Sequence, residues 1–200
     1  MTEVYFVRHA QSDHSVRDDR TRSLTDEGKN DTRAVADLLK SRNVGFIASS
    51  SYIRAIDTVG LYSLWTGLDV NIYEDFRERN AGGWLGENFF EFIEKQWADF
   101  DYHIEDGESL CEVQNRNVRA LKQVLAEHKG EIIAIATHGT ALSTILNYYY
   151  PEFDFKCFKK IVDFMPFIIR LDFEGESCVN SQVELVIHKE FKPRQKGNTK

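Results

Sequence analysis

Three cysteines in 200 residues are few, and none is placed to do chemistry. Cys111, Cys157 and Cys178 lie far apart, are odd in number and form no C-x-x-C pair. That argues against a disulfide scaffold or a zinc site and suits a reducing compartment. None begins the C-x5-R loop of cysteine phosphatases. The chain also lacks a G-x-x-x-x-G-K-[S/T] loop to cradle nucleotide phosphates and a G-x-S-x-G turn to carry a hydrolase serine. Asp99-Phe100-Asp101 has the letters of a D-x-D nucleophile but sits in an acidic, helical stretch instead of following a buried strand. His14, His103, His128 and His188 are scattered, not spaced as metal ligands.

Positive charge is short as well. With 25 Lys and Arg against 32 Asp and Glu, the formal charge is −7 and the pI about 5.4. A nucleic-acid partner is disfavoured on that balance, whereas an anionic small molecule needs only local positive charge. No apolar run approaches the ~18 residues of a membrane span. The opening M-T-E-V-Y-F-V-R-H-A carries no signal-like apolar core. The expectation is a cytoplasmic protein, monomer or homodimer, without membrane or nucleic-acid partners.

What is present is ordinary for a globule with a real core: 42% hydrophobic and 28% charged residues. Short apolar runs at residues 4–7, 44–48, 70–73 and 132–136 read as strands, and 167–173 and 183–187 as late strands. Between them lie helical patterns. One opens at Thr25, a candidate N-cap, and carries Ala34, Val35, Leu38 and Leu39. A second follows the possible caps Ser49, Ser50 and Ser51, with Ile53, Ile56, Val59 and Leu64. A third runs over 109–128, and a fourth over 141–149, stopping before Pro151. Residues 75–107 are aromatic-rich and partly helical. The alternation predicts an α/β fold, a three-layer sandwich with a mostly parallel central sheet and an inserted helical lid. The domain reading is one unit over 1–191, the lid at about 75–107, and a basic tail over 192–200.

In open α/β sheets ligands bind at the carboxyl ends of strands. The residues following each strand are Arg8-His9-Ala10-Gln11-Ser12, then Ser50 to Arg54, then Arg77-Glu78-Arg79, then Thr137-His138-Gly139. Singly, a strand-end histidine reads as structural, and Arg54 or Glu78 as surface charge. Together, two histidines, several arginines and a carboxylate on one rim suit phosphoryl transfer. An imidazole attacks phosphorus, guanidinium forks match phosphate oxygens, and a carboxylic acid serves the leaving oxygen and then water. No cofactor or metal is expected. A free imidazole titrates near ~6.5, so activity is expected to fall in acid.

The chain resembles the histidine phosphatase superfamily, also called phosphoglycerate-mutase-like. Its R-H-G-[E/Q]-[S/T] signature compares with Arg8-His9-Ala10-Gln11-Ser12, L-T-x-x-G with Leu24 to Gly28, and S-x-L-x-R-A-x-x-T with Ser50 to Thr58. Arg77-Glu78-Arg79 resembles the acid-bearing segment, Gly107-Glu108-Ser109 the G-E-S element, and His138-Gly139 the late H-G. The resemblance implies that His9 is the nucleophile forming phosphohistidine. It also implies that Arg8, Arg54 and His138 hold the phosphoryl oxygens, and that Glu78 is the proton donor and then the base. Gln11 and Ser12 fall near the pocket mouth, and Ser15 stands where many members have a phosphate-binding asparagine. All three are phosphate-binding candidates. Ala10 replaces the usual glycine, and its methyl is expected to be tolerated.

The implied substrate is a small phosphomonoester, hydrolysed without metal. Phosphoglycerate-mutase-type transfer and a non-catalytic phosphate-binding module are the alternatives. A mutase must hold a bisphosphate, yet residues 80–115 contain no arginine, one lysine (Lys95) and nine acids, including Glu87, Glu91, Glu94 and Glu108. A mutase-type tyrosine after the acid is replaced by Asn80-Ala81-Gly82. The lid aromatics Trp84, Phe89, Phe90, Phe92, Trp97, Phe100 and Tyr102 either pack the lid onto the core or form an apolar pocket for the leaving group. Arg17, Arg20 and Arg22 either add cations at the pocket mouth or form a solvated cluster with Asp18 and Asp19.

Overall fold

The computed structural model describes residues 1–83, 85 and 88–190; the readings placed on Trp84, Glu87 and the 192–200 tail lie outside the described residues. Six strands form one sheet: β1 (Thr2–Arg8), β2 (Phe46–Ser49), β3 (Val70–Ile72), β4 (Ile132–Thr137), β5 (Phe164–Glu174) and β6 (Ser177–His188). Their order is β3-β2-β4-β1-β5-β6. The first four are parallel, and β5 and β6 add an antiparallel hairpin beside β1.

β1 is buried on both faces because each of its side-chain rows meets a helical layer. Val4 and Phe6 pack with Leu121 and Val124 of α4 (Leu110–Glu127) and Leu142 and Ile145 of α5 (Gly139–Tyr149). Tyr5 and Val7 pack on the other face with Val35 and Leu39 of α1 (Asp26–Ser41) and Val59 and Tyr62 of α2 (Ile53–Thr66).

Two helix starts follow from local chemistry. The Thr25 hydroxyl accepts from the Gly28 N–H at 3.0 Å, and Ser109 and Glu112 close a reciprocal capping box on α4. The reading of α2 needs correction. Its N-cap is Tyr52 with no side-chain cap, and Leu64 is 78% exposed. The buried stripe keeps Val59 but otherwise consists of Arg54, Ala55, Thr58 and Tyr62, of which arginine, alanine and threonine are residues that hydrophobic spacing undervalues.

The insertion holds a short 3-10 turn (Glu74–Phe76) and α3 (Phe89–Ala98), and an isolated bridge between Ala81 and Gly107 closes its base. A further helix, α6 (Phe155–Ile161), does not stand out in the sequence because it is only seven residues long. It shares an apolar cluster with α3: Phe92, Ile93, Phe158 and Val162, joined by Leu85, Phe89, Trp97 and Tyr102. Most lid aromatics therefore serve packing. Among the described residues no helix is long and apolar enough to cross a membrane.

Candidate active site

Parallel pairing of β1 with β4 decides where the chemistry gathers. Arg8 is in register with Thr137, and the His9 N–H donates to the Thr137 carbonyl at 3.1 Å. The next residue of each strand is a histidine, so His9 and His138 emerge side by side, their ring centroids 5.3 Å apart. On the far side of β4, β2 delivers Ser50, whose hydroxyl lies 2.7 Å from His138 Nε2.

The His9 ring is oriented by its own neighbour: Nδ1 lies 2.7 Å from the Ala10 carbonyl. A carbonyl can only accept, so Nδ1 carries the hydrogen and Nε2 of the neutral ring keeps its lone pair. Burial, then Arg54 and Arg8, holds the imidazole pKa well below 6.5. His138 is lowered the same way, by burial first and then Arg54 and His9. The expected loss of nucleophile around pH 6.5 is therefore displaced acidward.

Ala10 is fully buried, and its N–H donates to Thr58 Oγ1 at 3.0 Å. The non-glycine residues with left-handed backbone among those described are Asn43 and Asp106, so Ala10 needs no glycine conformation. Gly139 does matter sterically: a Cβ there would lie 3.3 Å from the Arg8 guanidinium.

Arg8 is buried and donates to the Ile161 carbonyl at 2.6 Å. Burial pulls its pKa down to about 10, against the opposing pull of Glu78 and Asp163, so it stays charged. Arg54, 2% exposed, is held by the backbone and carboxylate of Asp19. The carboxylate of Glu78 accepts three backbone N–H groups: Arg79 at 2.8 Å, Thr140 at 3.0 Å and Ala141 at 3.1 Å. Two of these belong to the first turn of α5, where orphan donors and the helix dipole favour an anion.

These groups border a cavity of about 690 Å³. Arg8, His9, Ser12, Arg54 and Glu78 line it. His138 is completely buried against His9 and Tyr52 and is not part of the lining. The structure does not bring Gln11 or Ser15 to the cavity. The Gln11 side chain accepts from the Thr25 hydroxyl at 2.9 Å. Ser15 is exposed, its N–H donating to Asp13. Motif spacing places a residue along the chain but not the side to which its side chain turns.

The cavity gains residues that the sequence left undecided or unnoticed. Arg17, Arg20 and Arg22 line it, and Arg20 and Arg22 are ion-paired with Glu74 and Asp19. His14, read above as scattered, lines it too, with burial followed by Arg22 and Arg54 lowering its pKa to about 4. Arg79, 6% exposed, bonds Gln96, and its guanidinium lies over the Phe92 ring. Behind the rim, Arg116 donates to the carbonyls of Asp75, Arg77 and Glu78 and to Glu108, fixing the segment that carries the carboxylate. Of the described acids of residues 80–115, only Glu108 lines the cavity, and it is paired with Arg77 and Arg116. The lid acids therefore repel an anion less than their number implies.

The model of the histidine phosphatase superfamily, branch 1, matches residues 4–180. The chain belongs to that family. Within it, the chain is similar to a metal-independent phosphoserine phosphatase of Arabidopsis thaliana, 29% identical over 72% of this chain and 67% of that one. It is also similar to phosphoglycerate mutase-like protein 4 of the same plant, at 27% over 72% and 69%. Among solved structures, a phosphoserine phosphatase from Entamoeba histolytica in complex with phosphoserine superimposes with a TM-score of 0.76. It is 21% identical and covers 92% of this chain and 96% of that one, a likeness of fold.

Proposed function

We propose that this chain is a metal-independent phosphomonoester hydrolase that works through a phosphohistidine on His9. The observation that carries the reading is a cluster of orphan polar atoms. Arg8 Nε, Ser12 Oγ, Arg54 Nε, Arg79 Nε and His138 Nδ1 are all buried without a hydrogen-bond partner among the described residues. Four of the five belong to cavity-lining residues, and the fifth to the ring packed against His9. A buried donor left without a partner costs about 1–3 kcal/mol, so four on the lining of one cavity, with a fifth on the ring behind His9, argue for an acceptor-rich anion. A phosphoryl group, with three oxygens that bond Arg, Ser and His, is that anion.

The steps follow from the geometry. His9 Nε2 attacks phosphorus, the N–P bond forms and the ester P–O bond breaks. Arg8 and Arg54 offset charge on the equatorial oxygens, with His138 behind the nucleophile as a further donor. Glu78, entering the reaction protonated, gives its proton to the departing alkoxide and is left as the carboxylate that the α5 N–H groups hold. That carboxylate then takes a proton from the water that attacks phosphohistidine, which releases phosphate and restores the acid. The guanidinium groups supply the positive charge. Among the described residues no group of three His, Cys, Asp or Glu is placed to hold a metal.

The mutase-like relative keeps transfer to a second hydroxyl in view. Residues 80–115 oppose it, since their one cation, Lys95, is exposed and paired with Glu91. Hydrolysis of p-nitrophenyl phosphate that survives chelator, is lost in His9→Ala and leaves acid-labile phosphohistidine on quenching supports the hydrolase. Inactivity from pH 5 to 8 overturns it in favour of a binding module. Interconversion of phosphoglycerates faster than phosphate release overturns it in favour of a mutase.

A further inference from the structure

The cavity has two unlike sides. One is the cationic floor described above. The other is apolar: Leu85 before α3, Phe89 on α3, Phe158 and Val162 on and after α6, and Met165 on β5. The first four are members of one packed cluster, so they form a continuous wall and not scattered contacts. The wall directly adjoins the floor. The Arg8 guanidinium that would hold phosphate donates to the carbonyl of Ile161, the residue preceding Val162.

A group leaving from phosphorus on that side meets hydrocarbon. Of the cations on this side, Arg79 lines the cavity with its guanidinium over the Phe92 ring and bonded to Gln96, and the lysines stay away. Lys159 lies over the Phe155 ring and Lys160 is exposed, and neither lines the cavity. Lys95 is paired with Glu91 on the exposed face of α3. A cavity of about 690 Å³ falls in the range of sites for drug-sized molecules and leaves room for an alcohol well beyond the phosphate itself. Charged groups from the β1–α1 loop lie along the rest of the lining: Arg20 is paired with Glu74, Arg22 shares Asp19 with Arg54, and Arg17 and Asp18 stand among them.

Resting on the hydrolase reading, we infer that the leaving group is an uncharged apolar alcohol, aliphatic or aromatic, seated against Leu85, Phe89, Phe158, Val162 and Met165. Phosphoesters whose alcohol carries a carboxylate or a second phosphate are the poorer substrates. Each methylene that leaves water for such a wall is worth about a three- to fourfold gain in kcat/KM.

The test uses the full chain and phosphate release from ethyl, butyl and hexyl phosphate, phenyl phosphate, phosphoserine and a sugar bisphosphate. The expected result is a rise in kcat/KM of about tenfold or more from ethyl to butyl, with hexyl and phenyl phosphate ahead of phosphoserine and the bisphosphate. Phe89→Ala lowers the hexyl-to-ethyl ratio about fivefold or more. Phe89→Lys shifts preference toward phosphoserine. A flat alkyl series, or phosphoserine or the bisphosphate turned over fastest, overturns the inference and leaves the hydrolase standing. No turnover of any ester, with no phosphohistidine trapped, overturns both.

Discussion

His138 meets the Ser50 hydroxyl with one ring nitrogen and, among the described residues, has no partner for the other. The Ser50 hydroxyl, which also accepts the Tyr52 N–H at 3.3 Å, is therefore what holds the ring in place. Ser50→Ala is expected to lower kcat/KM about tenfold and to destabilise the fold by about 1–3 kcal/mol, because a buried ring nitrogen loses its partner. Steady-state kinetics alongside urea unfolding checks both, and an unchanged kcat/KM would remove Ser50 from the account. Ala10→Gly is expected to be nearly silent on activity, within about threefold, because Ala10 adopts no left-handed backbone and its N–H bond to Thr58 does not depend on the methyl. His9, Arg54, Glu78 and His138 were legible in the sequence because strand ends and motif order locate them. That Gln11 turns to Thr25 and Ser15 to solvent, and that Ser50, Thr58 and Arg116 contact His138, Ala10 and the Glu78 segment, was not legible, because such contacts depend on which neighbour a side chain turns toward.

Gly28 shows how an element is held in place. An added Cβ would lie 2.2 Å from the Gln11 carbonyl oxygen, so α1 approaches the loop after His9 as closely as a bare backbone permits. Gly28→Ala is expected to cost about 1–3 kcal/mol through overpacking, and to lower Tm by about 2–12 °C in a chain of this size. Thermal unfolding with and without phosphate measures it. Glu108 plays the complementary part for the lid. It joins Arg116 and Arg77 and accepts the Asn80 N–H, so it ties α4 to the segment bearing Glu78. Glu108→Ala strips a mostly buried arginine of its partner and is expected to cost about 3–5 kcal/mol. It should lower kcat more than it raises KM, because the carboxylate of Glu78 loses its mooring; equal kinetics in a stable variant would refute that link. Helices α1 and α4 were legible because caps and apolar spacing agree. α6 and the true face of α2 were not, the first for brevity and the second because it buries arginine, threonine and alanine.

At the scale of the whole molecule β1, β2 and β4 were readable from their buried runs and β3, largely exposed, from its β-prone residues, whereas β6 was read short. Its side chains are mostly exposed, so its length is set by pairing with β5 and not by an apolar pattern. The same uneven burial governs the response to acid. His9 and His138 have folded pKa values well below the ~6.5 of an unfolded histidine. Below pH ~6.5 the unfolded chain takes up protons that the folded chain refuses, so stability is full above that pH and falls as pH drops toward the folded values. The slope is about 1.4 kcal/mol per pH unit for each such histidine. Urea unfolding at pH 7.0, 6.5, 6.0 and 5.5 is expected to show a steady decline, about one third less steep in His9→Asn because His138 and His14 still contribute, and a flat profile would contradict the burial of these rings. Activity should follow a different limb. With Nε2 of His9 unprotonated well below pH 6.5, kcat/KM holds its plateau while the fold is already weakening, so inactivation in acid tracks unfolding and not protonation of the nucleophile.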